Sequence, residues 1–259
     1  MSGGGPSLYV YGVVSASEAP DIDVSGVGDE GAALRAVVHD EVAAVVSEVG
    51  DEPLAAARDL RAHWRVLEEL GSRTTVVPVR FATVMAGEEA LVDEFLAPQA
   101  ERLRTRLEEL RGKVQLSLKA FYDEERLLGE VVSQSPSVAR LRERIKGLPA
   151  AAAYYERIQL GELVSAEVEQ RREEDAALVL DRLEPLAVAA KSEPVGAPDM
   201  AVNVALLVEA SRVEELNQAV GRLTTEVGDR MRVRYVGPMP PYSFADTDAD
   251  QPTETGAWA

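Results

Sequence analysis

The stretch Met200-Ala-Val-Asn-Val-Ala-Leu-Leu-Val208, followed by Ser211 to Gly228 and then Arg230-Met-Arg-Val-Arg-Tyr-Val236, reads as strand, helix and strand in succession. In its middle part Val213, Leu216, Val220, Leu223 and Val227 recur at three- and four-residue spacings, which puts one apolar stripe on one face of a helix. Ser211-Arg-Val-Glu214 has the spelling of a capping box that would start this helix, and Gly228 supplies a residue able to end it. In the last part Met231, Val233 and Tyr235 alternate with Arg230, Arg232 and Arg234, the period of a strand with one buried face. A helix between two strands of one sheet predicts a parallel crossover, right-handed by the usual chirality. An earlier strand is marked by Val114, Leu116, Leu118 and Ala120 alternating with Gln115, Ser117 and Lys119, and it completes a split β-α-β pattern.

A second unit of the same kind is legible upstream. Leu8 to Val14 is apolar, a polar loop runs through Asp23 to Gly31, and Leu34–His39 with Val42–Val46 read as paired strands turned by Asp40-Glu41. Leu60, Trp64 and Leu67 recur at helical spacing, with Gly71 as the predicted C-terminal stop, and a strand from Thr74 to Phe81 follows. Pro98 divides the next helical stretch into one helix from about Glu88 and another, or a kinked continuation, ending before Gly112. The expectation is an α+β protein of two ferredoxin-like units. It comprises a flexible start (1–7), an N-terminal domain (8–112), a C-terminal domain (113–244) and a disordered acidic tail (245–259). Within the second domain a helical insertion spans about 124–191, broken at Ser135-Pro136 and Gly147-Leu-Pro149 and running on to Ala190, before a loop from Lys191 to Pro198. The charged run Arg171-Arg-Glu-Glu-Asp175 reads as a solvated helix face.

Composition narrows the function classes. At 259 residues and 46% hydrophobic, the chain can bury a large core. It has no cysteine, so disulfides and thiolate metal sites are excluded, and two histidines, His39 and His63, cannot make a His-rich metal cluster. The formal charge of −18 argues against nucleic acid and anionic membranes as partners and favours other proteins. No apolar run reaches the roughly 18–20 residues needed to span a bilayer, and the start lacks the pattern of a secretory signal, so a cytoplasmic location is expected. Gly26-Val-Gly-Asp-Glu-Gly31 spells a dinucleotide-binding motif but follows polar residues and carries Asp29 and Glu30 where phosphate would sit. It therefore reads as a loop. No Gly-x-Ser-x-Gly elbow is present, and no catalytic, metal or cofactor site is assigned.

The most distinctive motif is the exit from the last strand, Gly237-Pro-Met-Pro-Pro-Tyr-Ser-Phe244. With Leu8-Tyr-Val-Tyr-Gly-Val-Val14, Ala43-Ala-Val-Val-Ser47, His63-Trp-Arg-Val-Leu67, Val77-Pro-Val-Arg-Phe81, Gly112 to Lys119 and Asn203 to Val208, it resembles the gas vesicle protein F/L family across residues 8–244. Two positions depart from the family pattern: Met239 stands where tryptophan is usual, and Ala82 where glycine is usual. The resemblance implies a non-enzymatic accessory or minor structural protein of gas vesicles, acting in the cytoplasm and associated with them. Its implied partners are the small hydrophobic gas vesicle shell protein and other gas vesicle accessory proteins. A small-molecule-binding regulatory module is the alternative, because ferredoxin-like sheets also host ligands.

The residues that stand out as partner-binding or structural signatures are Arg80, Phe81, Pro238, Pro240, Pro241, Tyr242 and Phe244. Arg80 falls in an apolar strand, where a buried guanidinium requires a carboxylate or carbonyl, which predicts a structural ion pair, with a direct partner contact as the alternative. The three prolines preset an extended path for Tyr242 and Phe244. That path anchors the end of the chain on the protein's own surface, with presentation to a partner as an exposed arm the alternative. His63 reads as a hydrogen-bonded residue at the edge of the core, with a pH-sensitive contact as the alternative.

Overall fold

The computed structural model describes residues 6–20, 22–28, 32–50, 54, 56–149 and 152–245. The expected flexible start up to residue 5, the end of the Gly-x-Gly-x-x-Gly loop and the acidic tail from residue 246 lie outside them. The chain divides into two compact units, Met1–Gln115 with Pro238–Ala259, and Leu116–Gly237. The cut expected near Gly112 therefore falls within a few residues of the observed one. The expected assignment of 238–244 to the second domain is corrected, because this segment is part of the first unit.

The first unit opens with β1 (Ser7–Ser15), which a short 3-10 turn and a loop connect to the hairpin β2 (Leu34–His39) and β3 (Val42–Val49). Asp40 at φ 51° supplies the left-handed turn that a two-residue hairpin needs. Helix α1 (Ala56–Arg73) then leads to β4 (Val77–Pro78) and β5 (Val84–Met85). The sheet order is β2-β3-β1-β4, with β5 also pairing β1, and β1 is antiparallel to β3, β4 and β5. Since β3 and β4 both oppose β1, they run the same way with β1 between them, which is the split β-α-β arrangement. Among the described residues between β1 and β2, a 3-10 turn and loop stand where the first crossover helix would be.

Both faces of this sheet are covered, which is why β1 and β3 read as continuous apolar runs. On one face Val66, Leu67 and Leu70 of α1 pack with Tyr9, Tyr11, Val14, Ala43 and Val45. On the other lies the helical stretch made of α2 (Glu88–Ala90), a π-helical turn (Leu91–Leu96) and α3 (Ala97–Leu110), which buries Leu91, Leu96, Leu103 and Leu110. Pro98 does not end this stretch, which continues across it through a π-helical turn, one of the two outcomes expected. The widened turn before it, in which the Ala97 N–H reaches the Val92 carbonyl, absorbs the donor that proline lacks, and Pro98 sits in the first turn of α3. Gly71 is likewise not a stop, because α1 continues to Arg73.

The second unit takes most of β6 (Lys113–Tyr122), then α4 (Glu124–Gln134), α5 (Pro136–Lys146) and α6 (Tyr154–Leu183). It continues through β7 (Ala189–Ser192), β8 (Met200–Glu209), α7 (Val213–Val227) and β9 (Met231–Met239). Its order β7-β8-β6-β9 is the ferredoxin-like one, in an antiparallel sheet. Asp123 and Ser135 cap α4 and α5 through their side chains, and Pro136 occupies the first turn of α5, as the sequence break predicts. Leu116, Leu118, Ala120 and Tyr122 of β6 pack with Leu216, Val220, Leu223 and Val227 of α7 in one core. Each such buried leucine or valine contributes about 1.5–3 kcal/mol.

Four expectations are corrected here. The alanine-rich segment expected to continue the helix to Ala190 forms β7, paired with β8 from Ala189↔Leu207 to Ser192↔Val204, because the backbone of β8 offers it a free edge. Ser211 lies in a 3-10 turn before α7 and makes no capping bond, while Glu214 accepts from Asn217 and Gln218. The strand expected to end at Gly237 runs on through Pro238 to Met239, which an edge strand tolerates since its outward N–H needs no partner. Finally, Arg171–Asp175 is not simply a solvated face. Arg171 pairs with Glu130, Arg172 donates to the Met200 and Pro198 carbonyls, and Asp175 is 2% exposed, accepting from Tyr122 at 2.8 Å and pairing with Arg230. Burial and this hydrogen bond push the Tyr122 hydroxyl pKa well above its ordinary value.

Candidate functional site

Most of the residues singled out by sequence meet in the first unit. Pro240 and Pro241 are buried, and the backbone then closes a 3-10 turn over Tyr242–Phe244, with the Phe244 N–H donating to the Pro241 carbonyl at 3.0 Å. Tyr242 lies against Trp64 of α1, ring centroids 5.3 Å apart. Trp64 in turn meets His63 edge-on at 6.3 Å, and His63 meets Phe81 edge-on at 5.7 Å. Three stretches that look unrelated along the chain thus meet through His63 and Trp64, Phe81 and Tyr242 in one aromatic cluster completed by Tyr9 and Tyr11 of β1, and Phe244, close to Tyr242 in sequence, is half-buried.

The seat of the closing segment is shaped by residues that carry no obvious sequence signal. A Cβ placed on Gly71 would stand 2.8 Å from Pro240 Cγ, so the absent side chain on the exposed face of α1 makes room for the proline ring. Gln115, 4% exposed, accepts the Ser243 N–H at 2.8 Å through Oε1 and donates to Ser243 Oγ at 3.2 Å through Nε2. One side chain therefore satisfies both a backbone donor and a hydroxyl of the segment. Glutamine at 115 simply alternates with apolar neighbours in the sequence, and only the folded chain shows what it holds.

Two outlying members behave differently. Pro238 is exposed on β9, away from the buried pair. Arg80 is exposed too, which corrects the expected buried guanidinium. The strand core ends at Val79, whose N–H donates to the Tyr11 carbonyl, and Arg80 begins the turn in which its own carbonyl accepts from Thr83. Inside that turn Ala82 adopts φ 67°, the left-handed region where glycine costs nothing and alanine does. Its N–H donates to the Tyr9 hydroxyl at 3.1 Å.

His63 is fully buried, with Nδ1 3.0 Å from the Tyr9 hydroxyl and Nε2 facing the Val79 backbone without a hydrogen bond of normal geometry. Desolvation lowers its pKa to about 4, so the ring is neutral at physiological pH. With Nδ1 as acceptor of the Tyr9 O–H, the ring proton sits on Nε2. Burial pushes the Tyr9 pKa upward in turn, so neither group exchanges protons with solvent in the physiological range. The second tyrosine, Tyr11, bonds Ser47 Oγ at 2.8 Å and accepts the Val27 N–H at 2.6 Å. Gly26 approaches that hydroxyl so closely that a Cβ would stand 2.5 Å from it, which explains the first glycine of the loop by packing rather than phosphate binding.

These features define an α+β protein of two ferredoxin-like units whose closing segment is seated on an aromatic cluster of its own first unit. The family model described as gas vesicle synthesis protein GvpL/GvpF matches residues 7–246. Gas vesicle protein F of a Streptomyces species is 32% identical over 242 residues, 93% of this chain and 100% of the relative. Gas vesicle protein L2 of Halobacterium salinarum is 28% identical, covering 95% of this chain and 94% of the relative. The crystal structures of gas vesicle protein GvpF from Anabaena sp. PCC7120 and from Microcystis aeruginosa superpose with TM-scores of 0.79 and 0.78. Each is 27% identical and covers 93% of this chain and 99% and 100% of theirs. The chain belongs to the GvpL/GvpF family of gas vesicle proteins. That family is not a known family of enzymes. Among the described residues, no helix is long and apolar enough to cross a membrane.

Proposed function

We propose that this chain is a non-enzymatic assembly protein of gas vesicles, which binds the small hydrophobic shell protein in the cytoplasm and works with other gas vesicle accessory proteins. The observation that carries this reading is the match to a gas vesicle synthesis family over residues 7–246, nearly the whole chain. The physical need is plain, since a shell subunit with an exposed apolar face aggregates unless a partner covers it before it joins the wall. A carrier with a formal charge of −18 keeps such a complex dispersed.

In this reading the Pro240–Phe244 segment is a clasp that keeps the first unit in its binding-competent shape, and the partner meets the folded surface around it. Its placement against Trp64, Gly71 and Gln115 supports that role over a free arm. A reciprocal pull-down with the small shell protein tests the function, comparing wild type with Tyr242→Ala and with a truncation before Gly237, each checked for folding by circular dichroism. Wild type captures the shell protein, and the variants capture less in proportion to their loss of structure. Failure of folded wild type to capture it, alone or with the other accessory proteins present, overturns the proposal and turns attention to a ligand-binding module.

A further inference from the structure

The second unit carries a feature that its overall charge makes unexpected. Along β9, Met231, Val233 and Tyr235 turn into the core, so Arg232 and Arg234 project from the opposite face of the sheet, both exposed. Their guanidinium carbons stand 5.5 and 5.2 Å from the centroid of the Phe121 ring on β6, one ring serving both cations. Lys119 is exposed on that face of β6, two residues from Phe121. The chain has 45 acidic residues against 27 lysines and arginines, yet among the described residues neither Arg232 nor Arg234 makes an ion pair.

The surface continues into a hollow of about 550 Å³ lined by Phe121, Arg126, Thr224 and Arg232. Its carboxylates are engaged, for Asp123 accepts the Arg126 N–H at 3.1 Å and Asp229 lies 3.7 Å from the Arg126 guanidinium. Beyond Arg234 the β9 edge stays open, with Val236 59% exposed. Edge-strand cations often serve only to discourage pairing with another strand. Charge alone suffices for that, whereas two guanidinium groups gathered on one aromatic ring are oriented for planar recognition of carboxylates.

We infer that the Phe121–Arg232–Arg234 face is a docking surface for an acidic, extended polypeptide segment of another protein. Charge complementarity selects the occupant. Carboxylates spaced two residues apart along an extended chain recur on one face, in step with Arg232 and Arg234. The general negative charge of the protein directs such a segment to this site by repelling it elsewhere. This surface is separate from the shell-subunit contact proposed above, which requires apolar area, and it stands or falls independently.

The test is fluorescence anisotropy with the full-length protein and a labelled dodecapeptide of alternating glutamate and valine. Binding is saturable and weakens about tenfold in R232Q/R234Q, the scale expected when interfacial charge pairs are removed. The Arg232→Lys/Arg234→Lys variant, which keeps charge and loses the planar fork, falls between the two. These side chains are exposed, so far-UV circular dichroism and melting temperature stay unchanged. Absence of saturable binding, or equal binding by wild type and R232Q/R234Q, overturns the inference. So does tighter, arginine-dependent binding of an oligouridine, which reassigns the face to nucleic acid, or arginine-dependent self-association, which reassigns it to a second copy of the chain.

Discussion

Replacing Gly71 by alanine separates local helix propensity from the seating of the closing segment. In the interior of an exposed helix this change ordinarily stabilises by about 0.8–1.0 kcal/mol, because glycine loses more backbone freedom on folding. Gly71 is exposed and lies in the last turn of α1, so propensity alone predicts a gain of at most this size. The new Cβ, however, would stand 2.8 Å from Pro240 Cγ, against the roughly 3.5–4.0 Å that carbon atoms prefer. The proline ring must move by about 1 Å, and a rigid ring flanked by a second proline has little freedom to do so. Overpacking of this kind costs about 1–3 kcal/mol. If the segment lifts, the Tyr242–Trp64 contact, worth about 0.5–1.5 kcal/mol, is weakened as well. The expected net effect is a loss of about 1–2 kcal/mol, or a drop of roughly 2–8 °C in melting temperature for a chain of this size. Thermal denaturation followed by far-UV circular dichroism measures it. In a Pro240→Ala background the same substitution returns to its ordinary stabilising sign. A rise in melting temperature for Gly71→Ala in the wild type would refute the claim that α1 and Pro240 are in contact.

Three further outcomes follow from single residues. Ala82→Gly, by relieving a left-handed alanine, stabilises by about 0.5–1 kcal/mol once the larger freedom of glycine in the unfolded chain is deducted, measurable by urea denaturation. Because the His63 pKa falls from 6.5 unfolded to about 4 folded, its contribution is fully present above pH 6.5 and is lost as pH falls toward 4. The loss reaches about 3 kcal/mol at roughly 1.4 kcal/mol per pH unit, and the difference in unfolding free energy between wild type and His63→Phe changes across that window and levels off below it. Asp175→Asn keeps a partner for the Tyr122 hydroxyl but leaves Arg230 without its carboxylate. Since Arg230 is 28% exposed, the cost is discounted below that of a fully buried pair, to about 1–3 kcal/mol in chemical denaturation.

How far the sequence could be read depended on whether the deciding partner was near or far. The stripe of α7 and the alternation of β6 are local patterns, and both elements form where the periodicity puts them. The hairpin at Asp40 was legible for the same reason, a turn residue between two apolar runs. β7 was not, because an alanine-rich segment has no strand signal of its own and pairs only because β8 is there to receive it. Nor was the buried role of Asp175, which looks like any acid in a charged run until Tyr122 and Arg230 are brought to it. For the closing segment, identity and location came apart. Its prolines and aromatics mark it at once, yet nothing local says that Gln115, 128 residues earlier, would hold Ser243, or that Gly71 would be bare to admit Pro240. The burial expected of Arg80 differs for a related reason, since the apolar run reads as a strand to Phe81, whereas the strand core ends at Val79 and the turn that follows exposes Arg80.

The central claim, that this protein shields the shell subunit during gas vesicle assembly, is tested most directly by diluting the small hydrophobic shell protein out of denaturant and following light scattering in its presence. Suppression of scattering at near-stoichiometric ratios, absent with an unrelated protein of equal charge, is the predicted result. Scattering that proceeds as fast with the folded protein as without it, even when the other accessory proteins are supplied, would contradict the account.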